Sequence, residues 1–127
     1  MTARLLRAYR DTAYEAAGAV ACIGRRSPAI DALLRRLGSR HGAFVTAWNP
    51  LSRQMPPGWN RRAMRRLAEA TRRLRCAEGH GAGRGWGEDH LLLAIPPQRA
   101  AVLARRFRQR AIVVVTRGAA ARLVGVC

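Results

Sequence analysis

The order of elements in this chain predicts an α+β fold. It reads as a single layered domain over residues 1–127, with a mixed sheet of about five strands packed with about three helices. Three observations carry that reading. The apolar run Phe44-Val45-Thr46-Ala47-Trp48 has the character of a buried strand and is stopped by Asn49-Pro50, because proline cannot donate to a sheet ladder. Residues 27–38 carry both ends and the apolar stripe of a helix. A single helix then joins two further apolar strands, at 88–95 and 111–116, the connection that makes parallel neighbours.

Each element has its own justification. Residues 3–10 fit a short helix with Leu5, Leu6 and Tyr9 on one side, and residues 12–23 a small-residue strand ending at Ile23-Gly24. Ser27 suits an N-cap, Pro28 the first helical position and Gly38 the stop, while Ile30, Leu33, Leu34 and Leu37 repeat at helical spacing. After the strand at 43–48, Pro56-Pro57-Gly58 forbids helix. Asn60 then caps a long helix through about Cys76, with Met64, Leu67, Ala68, Thr71 and Leu74 inward. The run 79–87, with glycine at every second position, reads as a flexible turn into the strand at 88–95. It lacks the third glycine of a dinucleotide fingerprint, and without any lysine it cannot be a phosphate P-loop. Pro96-Pro97 opens a further helix, followed by the buried strand 111–116, a turn at Arg117-Gly118 and a last strand at 122–126.

Charge is the dominant compositional signal. There are 24 Arg, no Lys and 7 acidic residues, a formal net charge of +17. Such an excess attracts polyanions, so nucleic acid or another anionic ligand is the expected partner. The absence of Lys beside 24 Ala and 12 Gly also has the look of codon bias in a GC-rich gene. Arg61, Arg62, Arg65, Arg66, Arg72 and Arg73 form the outer wall of the 60–76 helix and are the polyanion-binding candidates. No apolar run approaches a membrane span, so no membrane partner is expected. Ala19-Val20-Ala21-Cys22 imitates a lipoprotein cleavage box, but Asp11 and Glu15 interrupt the apolar centre that export needs. Cys22, Cys76 and Cys127 are three and far apart, which excludes a disulfide framework and points to a reducing cytoplasm.

Several separated pieces resemble one family. Thr46-Ala47-Trp48-Asn49-Pro50-Leu51-Ser52, Asn60, Trp86-Gly87-Glu88 and Gln109-Arg110-Ala111-Ile112 are similar to the motifs of an uncharacterised bacterial family of unknown function, DUF3293. Tyr9, Thr12 and Tyr14 look like its N-terminal positions. Members tend to place Ser where His90 stands and Gly where Arg108 stands. The resemblance implies a shared fold and supplies no activity, cofactor or substrate.

The candidate ligand-binding residues follow from strand direction. Parallel strands start at one end of a sheet, so Glu88 and Gln109 flank the same end. An antiparallel 43–48 strand would finish there too, which brings Thr46, Asn49, Ser52, Asn60, Glu88 and Gln109 onto one polar rim. Each also has a structural reading: Asn49 as a capped turn, Asn60 as an N-cap, Glu88 as half of an ion pair with one of the many arginines. Ser52 lies in no nucleophile-elbow pattern, and no catalytic constellation is recognisable. Cys76, His80, Glu88 and His90 match no standard zinc spacing, so neither metal nor cofactor is expected. The sequence therefore favours a non-catalytic binding module for nucleic acid or another anionic ligand. A small-ligand pocket or enzyme at the polar rim, and a structural or partner-binding protein, are the alternatives.

Overall fold

Ala17 and Gly18 both have positive φ, 49° and 82°, the pair of left-handed residues that a two-residue hairpin turn demands. They split the expected 12–23 strand into β1 (Ala13–Ala16) and β2 (Ala19–Ala21), closed by the Ala16–Ala19 pair. The computed structural model describes residues 1–126, so Cys127 lies outside the described residues.

The helices at 3–10 and 28–36 form as their sequences dictate. Thr2 caps α1 (Ala3–Arg10) by accepting from the Leu5 N–H. Ser27 caps α2 (Pro28–Arg36) by accepting from Ile30. Gly38, at φ 67°, ends α2 in a Schellman turn: the Ser39 N–H reaches Leu34 O and the Gly38 N–H reaches Arg35 O, each at 3.0 Å. Next come β3 (His41–Val45), a tight turn at Pro50–Ser52 with left-handed backbone at Leu51 and Ser52, and α3 (Pro57–Ala70).

Asn60 is not the cap of α3. The helix begins three residues earlier at Pro57, and Asn60 is buried within its first turns. The far end also falls short of the expected Cys76. Thr71 turns its hydroxyl back to Leu67 O at 2.8 Å, and the chain leaves the helix there, so Arg72 and Arg73 lie beyond it.

The glycine run is not a flexible turn. It forms most of β4 (Cys76–Gly83), which turns through Arg84-Gly85 into β5 (Trp86–Leu93). The chain ends with α4 (Pro97–Arg106), β6 (Ala111–Thr116) and β7 (Arg122–Gly125). The class is α+β, and the described residues form four helices and seven strands, the strands in the order β2-β1-β4-β5-β3-β6-β7. All neighbours are antiparallel, so the sheet is not mixed as expected. β5 and β6 do run parallel, but β3 lies between them and pairs antiparallel with both.

The sheet curls into a half-barrel. Tyr14 on β1 and Phe44 on β3 are three strand steps apart, about 14 Å on a flat sheet, yet their ring centroids are 5.7 Å apart. The two edges meet at one parallel bridge, Ile23 to Ala121. α2 packs within the curl on Phe44, Leu92, Val113 and Val115. α3 and α4 cover the outer face over Val45, Leu91, Leu93, Ile112 and Val114. The alternation along β3, β5 and β6 places these residues on opposite sides, so β3, β6 and the second half of β5 are buried on both faces.

Candidate functional site

Gly79, Gly81 and Gly83 alternate along β4 and stand opposite His90, Glu88 and Trp86 of β5, all on the inner face. The glycines leave that face bare. A Cβ on Gly81 would lie 2.7 Å from the His90 ring, and one on Gly83 would lie 2.5 Å from Trp86 Nε1. The missing side chains make room for the rings and the carboxyl group of β5. This is the physical meaning of the glycine period, and the signal in the sequence that could have revealed the site.

The inner face opens into a cleft of about 520 Å³, inside the ordinary range for small-molecule sites. Tyr9 and Thr12 at the end of α1, Trp48 and Asn49 after β3, and Trp86 and Glu88 on β5 line it, with Ser52, Met55 and Gln109 beside them. A smaller inner cavity of about 30 Å³ continues behind Tyr9, Glu88 and Gln109 to Tyr14, Thr46 and His90.

The six rim residues come into one neighbourhood. The Thr46 hydroxyl donates to Asp89 O at 2.6 Å and accepts from the Trp48 N–H at 3.0 Å, tying the end of β3 to β5. Asn49 and Asn60 bond reciprocally: the Asn49 N–H donates to Asn60 Oδ1 at 2.9 Å, and Asn60 Nδ2 to Asn49 Oδ1 at 3.0 Å. Asn49 Oδ1 also accepts from the Met55 N–H at 2.9 Å, which shapes the 49–55 loop. Asn49 thus organises a turn and also lines the cleft. Gln109 is buried and donates to Trp48 O at 3.1 Å and Phe107 O at 3.2 Å. Asn49, Ser52, Glu88 and Gln109 line the cleft itself, Thr46 the inner cavity, and Asn60 supports Asn49 from below.

The loop is conformationally costly. Asn49, Leu51 and Ser52 have φ of 46°, 52° and 62°, and a non-glycine residue there costs about 1 kcal/mol or more. Backbone strain of this kind concentrates at functional sites.

Among the described residues Glu88 has no ion-pair partner. Its hydrogen-bond partner is Asn49, whose Nδ2 donates to Oε1 at 3.3 Å. Burial pushes the carboxyl up to about 7, against the downward pull of the Asn49 hydrogen bond and of His80. His90 is fully inside; burial lowers it to about 4, so its ring is neutral at pH 7. Nδ1 then donates to Glu88 O at 3.1 Å. Burial also raises the Tyr14 phenol above its ordinary range. Cys76 and His80 occupy the face of β4 opposite to Gly79 and Gly81, and so point away from the side that Glu88 and His90 share.

All six polyanion candidates are exposed. Arg72 pairs with Glu69, and the Arg66 guanidinium stands 6.0 Å over the Trp59 ring. Arg61 and Arg65 flank a groove that also contains Glu78 and Asp89. None of the six lines the cleft.

These features define an α+β half-barrel domain with a polar, aromatic-walled cleft at the mouth of its curl. The chain belongs to the family described as a protein of unknown function, DUF3293, whose profile matches residues 45–112. That span runs from the end of β3 to the start of β6 and contains all six rim residues. No curated protein and no solved structure matches the chain. No described helix is long and apolar enough to cross a membrane.

Proposed function

We propose that the cleft is a binding site for a small polar ligand that is neutral or positively charged. One observation carries this reading: in a chain with 24 arginines, no arginine lies among the described residues that line the cleft, and Glu88 is the carboxylate there. An anion would meet that carboxylate with no cation to offset it. Trp48, Trp86 and Tyr9 supply aromatic faces of the kind that hold flat or cationic groups. Asn49 and Gln109 supply amides that orient a polar edge. Two free thiols, Cys22 and Cys76, support a reducing, cytoplasmic setting.

The experiment compares two ring-bearing probes of similar size and opposite charge, phenethylamine and phenylacetate, by calorimetry and tryptophan emission. The amine should bind and phenylacetate should not. With Glu88 titrating at about 7, affinity for the amine should rise about tenfold between about pH 6 and pH 8. Glu88→Gln should weaken binding and remove that pH dependence. Equal or better binding of phenylacetate, or an unchanged pH profile in the variant, would overturn the reading.

A further inference from the structure

Behind the 49–55 loop, on the outer face, lies a second groove of about 390 Å³. Four arginines reach it from three parts of the chain: Arg53 from the loop, Arg66 from α3, and Arg106 and Arg108 from the end of α4 and just beyond. All four are exposed. Two half-buried rings form part of its floor. Arg66 stands 6.0 Å over the Trp59 ring and Arg106 5.9 Å over the Phe107 ring. No acidic side chain is among the described residues lining it. The neighbouring groove on α3 differs, because Glu78 and Asp89 accompany its Arg61 and Arg65. Overall charge is therefore not the argument. Here four like charges line one groove, two of them over aromatic rings, with no acidic side chain among the described lining residues.

We propose that this groove binds single-stranded nucleic acid, with a base against Trp59 and Phe107 and the flanking phosphates on Arg53, Arg66, Arg106 and Arg108. Stacking needs an exposed base face, which a duplex hides and a single strand offers. Guanidinium groups pair phosphate oxygens in bidentate fashion. Four arginines exceed what one phosphate can engage, and Arg62 extends the basic surface one turn back along α3. Those features fit a strand better than a mononucleotide. This site is separate from the cleft, so failure of one assignment leaves the other standing.

The test is fluorescence anisotropy with a labelled oligothymidylate of about 12 nucleotides, within the range single-strand sites occupy. A duplex of equal length and thymidine monophosphate serve as competitors. Arg53, Arg66, Arg106 and Arg108 are changed together to Gln, and compared with the same change at Arg4, Arg35, Arg36 and Arg122, which are exposed elsewhere. The groove variant should lower the slope of log affinity against log salt by about 3, at roughly 0.7 per contact, and the control by less. Trp59→Leu should reduce affinity about tenfold and leave the slope unchanged. If Trp59→Leu does not fold, Trp59→Phe preserves the packing, and the quenching of tryptophan emission by bound oligonucleotide should fall. Equal slopes in the two quadruple variants would overturn the proposal. So would a duplex or a mononucleotide that competes as well as the strand, or quenching that survives in Trp59→Phe.

Discussion

Asn49 Nδ2 lies 3.3 Å from Glu88 Oε1, and this contact joins a residue in left-handed backbone to an acid held on the inner face of β5. The same Asn49 is gripped from below by Asn60 through two hydrogen bonds. The position of the carboxyl group's partner thus depends on a buried amide that is not among the cleft's lining residues. Glu88 meets a neutral amide where a guanidinium would have lowered it, which is why burial prevails and the group titrates near 7.

Glu88 should therefore oppose stability at high pH. Its folded value is raised above the ordinary 4.5, so the folded state holds this proton more tightly than the unfolded chain. Its favourable contribution is complete below about pH 4.5 and lost as pH rises through about 7. The full difference is up to about 3 kcal/mol. Glu88→Gln should match the wild type near pH 4.5 and exceed it in unfolding free energy by about pH 8. Urea melts of both proteins across that range measure the gap, which should widen with pH.

His90 should act in the opposite direction. Its folded value is depressed to about 4, so unfolding takes up a proton below about 6.5. Stability from the neutral ring is present above that value and lost as pH falls toward 4. The windows of Glu88 and His90 overlap and their signs differ, so the wild type should vary little from these two groups between about pH 4.5 and 6.5. His90→Ser removes one side of the balance. Whatever its baseline cost, its stability should fall with rising pH across that window, whereas that of Glu88→Gln should rise.

What was legible in the sequence depended on side chains acting locally. Ser27-Pro28 with Gly38, Pro97, and the apolar runs read as strands at 43–48 and 88–95 each specify their element through capping, fixed φ or burial, although the two strands end earlier than read, at Val45 and Leu93. The meeting of Thr46, Asn49, Glu88 and Gln109 was also readable, because it follows from strand direction, and β3 does run antiparallel to β5 and β6. β4 was illegible because its inward positions are glycines. They carry no apolar pattern, and their contribution is space for residues on another strand. The β1–β2 turn was hidden because Ala17 adopts a conformation alanine rarely takes. Asn60 looked like a cap, since a buried asparagine serving a loop eleven residues away leaves no local trace. The α1 wall of the cleft depends on tertiary packing, which no local pattern reports.

The three inward glycines should differ in what they tolerate. A Cβ on Gly79 would lie 2.5 Å from the Glu15 carbonyl oxygen, backbone that belongs to the sheet and cannot step aside. On Gly81 it would meet the buried His90 ring, and on Gly83 the exposed Trp86. Alanine should therefore cost most at 79, by about 2–3 kcal/mol, less at 81, and least at 83, where the ring can swing outward. Thermal melts of the three variants give the order. A Gly83→Ala variant less stable than Gly79→Ala would contradict it.

Arg108 repeats, with the wrong residue, the stop that Gly38 provides for α2. After α4 the Gln109 N–H reaches Ala104 O at 3.0 Å and the Arg108 N–H reaches Arg105 O at 3.1 Å, the same Schellman pair that closes α2. The residue in the left-handed position is Arg108, at φ 55°, where Gly38 has 67°. A Cβ is strained there, which gives a backbone reason for the glycine that the family resemblance places at this position. The Arg108 carbonyl also accepts from the Leu51 N–H at 2.6 Å, so the turn anchors the strained loop beside the cleft. Arg108→Gly should stabilise the protein by up to about 1 kcal/mol by removing that strain without disturbing the carbonyl. Arg106→Gly, inside the last turn of the same helix, removes the same charge and should destabilise by about 1 kcal/mol. Opposite signs from two arginine-to-glycine changes two residues apart separate backbone relief from charge relief. A gain in both would assign the effect to charge.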